Sequence, residues 1–226
     1  MAYKIESTFT EILSKCVANV DFEEVEDDIK ITADQPIMCK VENSALVLTS
    51  DQGSHFSLGS SICSFGNNMT VITCNGRTYV NGVDTSTKQT ESKDTDFSCE
   101  WTIAGVPRVS SLEVQGSSSL RPCAAMLEAS ITLVVTGSGD IFLPEMEFDS
   151  VQASVTGSGD IDFNDAVCKV LQATVTGSGD ISGFQATESV QARVTGSGDV
   201  KGAAAAKGCK VKKNCTGSGD IKIKQK

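Results

Sequence analysis

Apolar residues in the second half of the chain fall at alternate positions, in blocks that recur. Ile131, Leu133 and Val135 are followed by Thr-Gly-Ser-Gly-Asp and then Ile141; the same order returns with Val151, Ala153 and Val155, with Leu171, Ala173 and Val175, and with Val190, Ala192 and Val194. Period-two alternation predicts a strand with one buried face, and the β-branched residues around the glycines favour strand over helix. Beyond each glycine motif stand Ile141, Ile161, Ile181, Val200 and Ile221, then Leu143, Phe163, Gly183, Gly202 and Ile223 two places on, which predicts a second short strand after a corner.

The corners set the period. The first glycines of the motif, Gly137, Gly157, Gly177, Gly196 and Gly217, are 20, 20, 19 and 21 residues apart, and a weaker copy in "LEVQGSSSL" places Gly116 another 21 residues upstream. A period near 20 marks a solenoid, because one unit cannot bury its apolar face alone while stacked units form a continuous interior. The expected fold is therefore all-β, a parallel β-helix with about 20 residues per coil. A propeller or sandwich needs hairpins and longer repeats.

Within each corner the pairs Gly137 and Gly139, Gly157 and Gly159, Gly177 and Gly179, Gly196 and Gly198, and Gly217 and Gly219 are expected to turn the chain, both members taking positive φ. Asp140, Asp160, Asp180, Asp199 and Asp220 are expected to accept backbone N–H groups at the same corners. Stacking places these carboxylates about 5 Å apart, where like charges repel, so backbone donors, water or a cation is expected among them. Calcium is the one cofactor such a ladder suggests, although the oxygen ligands of a second facing turn are missing; otherwise no cofactor is expected.

The first half is less regular. The stretches "IKITA", "MCKVENSALVLTS" and "HFSLGSSICSF" read as strands, and "FTEILSKCV" reads either as a short amphipathic helix, with Phe9, Ile12, Leu13 and Val17 on one side, or as a first strand. "MTVITCNGRTYVNG", residues 69–82, predicts a hairpin about Asn75-Gly76 that projects from the body, and the polar stretch 84–98 reads as an insertion. The chain is thus read as one domain, with irregular coils over 1–105 and regular TGSGD coils over 106–226.

Charge changes the picture at one end. The net charge of −10 argues against nucleic-acid binding, yet residues 201–226 carry eight lysines against one acid. Lys201, Lys207, Lys210, Lys212, Lys213, Lys222, Lys224 and Lys226 form a candidate interaction patch, for an acidic partner or for another copy of the acidic body. The final "IKIKQK" also carries lysines of the kind that discourage open-ended stacking.

No run of about 18 apolar residues exists to span a membrane, and the start lacks a basic segment followed by an apolar one, which gives the expectation of an intracellular, cytoplasmic protein. The nine cysteines, odd in number and without close pairs, read as small hydrophobic fillers in a reducing compartment.

The repeated "VTGSGDI" at a 20-residue spacing, with the opening "DIKITADQPIMCKVENSALVLTS", resembles the head GIN domain of the "putative auto-transporter adhesin" family. The resemblance is strongest over residues 110–226. It implies a right-handed parallel β-helix, an adhesin-like interaction role and no catalytic residues to carry over. Acidic pairs such as Asp160 with Asp162, or Asp162 with Asp165, are the only candidates for glycosidase chemistry, and His55, the one histidine, has no motif around it. The expected function is a non-catalytic scaffold or recognition module that binds protein or glycan through a ladder face or its charged end, with cation binding as the alternative.

Overall fold

Alternation along the sequence becomes stacking in space. The computed structural model describes residues 4–5, 9–35, 37–50, 60–65, 69–74, 77–80, 83–84, 99–204 and 208–225. Strands Val109–Gly116, Leu127–Gly137, Glu147–Gly157, Val167–Gly177, Ile181–Gly196 and Lys210–Gly217 pair in parallel, and the six glycines that end them are in register. Beyond the corners a second parallel ladder runs through Ser119–Arg121, Asp140–Phe142, Ile161–Asp162, the start of Ile181–Gly196, Val200–Ala204 and Ile221–Gln225. The molecule is a parallel β-solenoid.

Its interior consists of columns. Val114, Val135, Val155, Val175 and Val194 form one, Leu112, Leu133, Ala153, Ala173 and Ala192 a second, and Leu120, Ile141, Ile161, Ile181 and Val200 a third, none more than 1% exposed. Where the pattern offers Gly183, the chain adjusts. Gly183 takes φ +78° and the register slips between Ile181 and Phe184, so Phe184 enters the core in its place and meets Phe163 edge-on at 5.9 Å. Gly202 is needed above it, because a Cβ there would stand 2.5 Å from the Phe184 ring.

"FTEILSKCV" is a strand. Glu11–Lys15 lies parallel to Val109–Gly116, with Ser14 opposite Val114, and Ile12, Ser14, Cys16, Ala18, Val20 and Phe22 are all buried, whereas Val17 is 42% exposed. The helical grouping fails because period two governs once Ser14, Cys16 and Ala18 count as small interior residues. Asn19–Val25 then forms a hairpin with Asp28–Ala33. "MCKVENSALVLTS" is a second hairpin, Ile37–Glu42 with Ala45–Ser50, turned at Asn43 and Ser44, both at positive φ. Ala45–Ser50 stacks on the far side of Glu11–Lys15.

Strands Ser60–Phe65, Met69–Cys74, Arg77–Val80 and Val83–Asp84 make a separate antiparallel sheet in which Cys74 faces Arg77. Asn75-Gly76 itself, His55 and the polar insertion from residue 85 to 98 lie outside the described residues. Among the described residues the one helical segment is the 3-10 turn Ala124–Met126, and no helix is long and apolar enough to cross a membrane.

The first two coils meet at a buried polar contact. Ser118 takes the place that the motif's second glycine holds in later coils. Its Oγ lies 2.6 Å from Ser14 Oγ, which in turn is 3.2 Å from Cys16 Sγ, and all three residues are at most 1% exposed.

Candidate functional site

The recurring corner brings backbone and carboxylate groups of successive coils into contact. The carbonyls of Gly137, Gly157, Gly177 and Gly196 each accept two amides from the next coil, Gly137 O from Ser158 N at 2.8 Å and Gly159 N at 3.1 Å, and the others likewise. Both glycines press on the coil below, where a Cβ would fall 2.2–2.5 Å from a carbonyl oxygen at the first and closer still at the second, but only the first is also held by its φ. Gly137, Gly157, Gly177, Gly196 and Gly217 hold φ between +123° and +130°, a region side chains rarely adopt. Gly139, Gly159, Gly179, Gly198 and Gly219 are not at positive φ, contrary to the expectation from sequence. They are glycine because a Cβ at any of them would fall 1.9–2.2 Å from a carbonyl oxygen of the coil below.

The aspartates also act between coils rather than within one corner. Asp160 N donates to Asp140 Oδ1 at 2.9 Å, Asp180 N to Asp160 Oδ1, Asp199 N to Asp180 Oδ1 and Asp220 N to Asp199 Oδ1, the last three at 2.7 Å. Asp140, stacked on Ser119 instead of an aspartate, sends its own N–H to Ser118 O. Lys201 Nζ bridges Asp180 Oδ2 at 3.0 Å and Asp199 Oδ2 at 2.9 Å, and Lys222 holds Asp220 Oδ2 at 2.9 Å. The like-charge repulsion along the column is thus offset by amide donors on one oxygen and, over the last three coils, by ammonium groups on the other.

Titration follows this geometry. The Lys201 hydrogen bond and then the Asp220 amide hold the Asp199 carboxyl below its ordinary value of 3.8, and the same carboxylates raise Lys201; Asp220 raises Lys222. A lowered carboxyl pKa means that this pairing stabilises the fold above the ordinary carboxylate range and is lost as pH falls through the lowered value. Asp180→Ala removes the acceptor of the Asp199 amide and one of the two carboxylates on Lys201. A loss of about 1 kcal/mol in urea unfolding is expected, with Asp180→Asn milder because it keeps an acceptor. With these oxygens already engaged, the wild-type melt is expected to be the same in millimolar calcium and in chelator; a rise of several degrees in calcium would return the ladder to metal binding.

The lysines of the basic end divide. Lys201 and Lys222 belong to the aspartate column, Lys213 donates to Ile221 O at 3.2 Å, and Lys210, Lys212 and Lys224 are exposed with no carboxylate partner among the described residues. Lys207 and Lys226 lie outside those residues. Asp162 Oδ1 accepts Asn164 N, so this member of both candidate acid pairs serves a local turn, as Asp160 serves the next coil. Among the described residues no cluster of three or more His, Cys, Asp or Glu is placed to hold a metal.

The cysteines are not all fillers. Cys16 and Cys168 are buried, and burial, with Cys209 nearby, pushes the Cys168 thiol up to about 12. Cys215 stands in the valine column but is exposed, since no described strand stacks on it.

A surface that sequence reasoning passed over lies on the outside of the long strands. Thr136, Thr156, Thr176, Thr195 and Thr216 stack in one exposed column. Beside it run Val134, Ser154, Thr174 and Arg193, then Thr132, Gln152, Gln172 and Gln191. Of the twelve outward positions from Thr132 to Thr195 only Arg193 is charged, on a chain of net charge −10. The signal was the threonine of every TGSGD, which served only to mark a strand.

Comparison with known proteins agrees with this architecture. A solved "putative adhesin" from Bacteroides fragilis is similar over 98% of this chain and 94% of its own, at 15% identity and a TM-score of 0.57, a likeness of fold. A "putative lipid binding protein" from Parabacteroides distasonis aligns over 96% and 93%, at 16% identity and a TM-score of 0.42. No curated protein matches the sequence. The sequence model of one family spans residues 8–226, corners, aspartate column and N-terminal hairpins together, and the chain belongs to that family, "Putative auto-transporter adhesin, head GIN domain".

Proposed function

We propose that the chain is a non-catalytic recognition module of adhesin type that holds a glycan along the outer face of its long strands. The observation that carries this reading is the nearly uncharged array of hydroxyls and amides, with Thr136, Thr156, Thr176 and Thr195 in one row and Gln152, Gln172 and Gln191 in another. Rows about 4.8 Å apart on a flat sheet offer repeated donors and acceptors to an extended, hydroxyl-rich chain, and the β-solenoid keeps them in place without a ligand to order them. The family's adhesin description supports the same class of role.

Retention on immobilised polysaccharides tests it. Thr156→Glu with Thr176→Glu is expected to abolish retention while leaving the melting temperature within a few degrees of wild type, whereas Ser178→Glu, on the exposed corner outside the face, leaves retention unchanged. Retention that survives the double substitution, or wild-type protein retained by no polysaccharide, defeats the reading.

A further inference from the structure

The two ends of the solenoid are complementary. Toward the N-terminal end, the hairpin of Asn19–Val25 and Asp28–Ala33, flanked on its far side by Cys99–Ile103, has Asp21 paired with Arg121 and Glu23 opposite Lys30, while its tip carries Glu24, Glu26 and Asp27. Residues 23–27 are all exposed, and Val25, 45% exposed, is one of two large apolar side chains the described surface presents. At the other end, a depression of about 310 Å³ crosses the last coils. Its lining sets Val170, Val190 and Val211 beside Gln172, Gln191, Lys210 and Lys212.

We propose that a second copy of this chain docks head to tail, with the hairpin tip Glu24-Val25-Glu26 of one copy seated in the depression beside Lys210 and Lys212 of the next. Three observations carry this. Lys201 and Lys222 are neutralised by the aspartate column, so among the described residues the charge left over at this end is that of Lys210, Lys212, Lys213 and Lys224. An apolar side chain flanked by acids faces valines flanked by ammonium groups, which matches both charge and polarity. Asn19–Val25 and Ile221–Gln225 also lie six strand spacings apart in one ladder, about 29 Å at the usual spacing, too far for the tip to reach its own last coil. The contact is therefore between copies, and because it joins unlike surfaces it repeats along the stack instead of closing as a two-fold pair. It leaves the threonine column untouched but shares Gln172 and Gln191 with the glycan face, and because its test reads self-association of the protein alone, its failure and that of the glycan reading are told apart.

Sedimentation velocity over a concentration series tests it. At low salt the weight-average sedimentation coefficient is expected to rise with concentration, and to return to the monomer value near 1 M salt, where the screening length is about 3 Å. Glu24→Lys with Glu26→Lys, and separately Lys210→Glu with Lys212→Glu, are each expected to weaken self-association at least about a hundredfold, since each sets like charges together. Mixing the two variants restores it, because each then finds an opposite charge at both ends of the other. Circular dichroism of each variant checks folding, and the wild-type series stands even if one variant fails to fold. Wild-type protein that stays monomeric at every concentration and salt, association unchanged by either reversal, or a mixture of folded variants that stays monomeric overturns the proposal.

Discussion

Gly159→Ala is expected to cost at least about 3 kcal/mol, in a position where neither neighbour can move aside. The added methyl would stand 1.9 Å from Gly139 O and 2.8 Å from Val135 Cγ1. One of these is backbone fixed by the coil ladder, and the other is a 0% exposed member of the central column. For a domain of this size such a loss lowers the melting temperature by roughly 6–12 °C. Ser158→Ala, on the exposed residue between the glycines, is the control and should move it by little. Thermal unfolding of both decides the matter: a Gly159→Ala melt equal to that of Ser158→Ala would mean that the coils can separate without loss, against the close approach described for every second glycine.

The other large effect is a coupled one at the first joint of the stack. In later coils a Cβ on the second glycine would meet a valine of the coil below as well as the carbonyl, as at Gly139, where the distance to Val114 Cγ1 would be 2.6 Å. At the first joint the residue below is Ser14, and the side chain of Ser118 fills the space left. Ser14→Val restores the valine of the column and is expected to destabilise by about 2 kcal/mol, through crowding and a buried hydroxyl without its partner. Ser118→Gly added to Ser14→Val recreates the pairing of the later coils, and should bring stability back to within about 0.5 kcal/mol of wild type, a strong non-additivity. Chemical denaturation of the two single variants and the double gives the coupling directly; additive losses would refute a shared space.

The regular coils were legible because the signal needed only spacing: Val135, Val155, Val175 and Val194 announce one column through their distance from a glycine. What spacing does not carry is which physical demand a glycine answers. Gly137 and Gly139 look alike in sequence and both approach a carbonyl 21 residues back in the chain, yet only Gly137 is also required by φ. Asp140 was read as an acceptor at its own corner, but its amide partner belongs to Asp160, one coil on. That contact exists only after stacking. Ser14 concealed the first strand, because a serine in the interior breaks an apolar pattern unless its partner, Ser118, is known, and that partner is 104 residues away. The basic end was visible as composition, whereas its division into lysines held by the aspartate column and lysines left over required coordinates.

The joint at Ser14 and Ser118 has a consequence in time. From Gly116 onward every coil meets the next across about 20 residues of chain, so stacking there can proceed by short loop closures, one unit after another. Glu11–Lys15 reaches Ser111–Val114 across 100 residues. A closure that long carries a larger entropic cost before any contact rewards it, and topology of this kind folds slowly. The repeats are therefore expected to assemble as the template, and the N-terminal strand to arrive last on a surface already built.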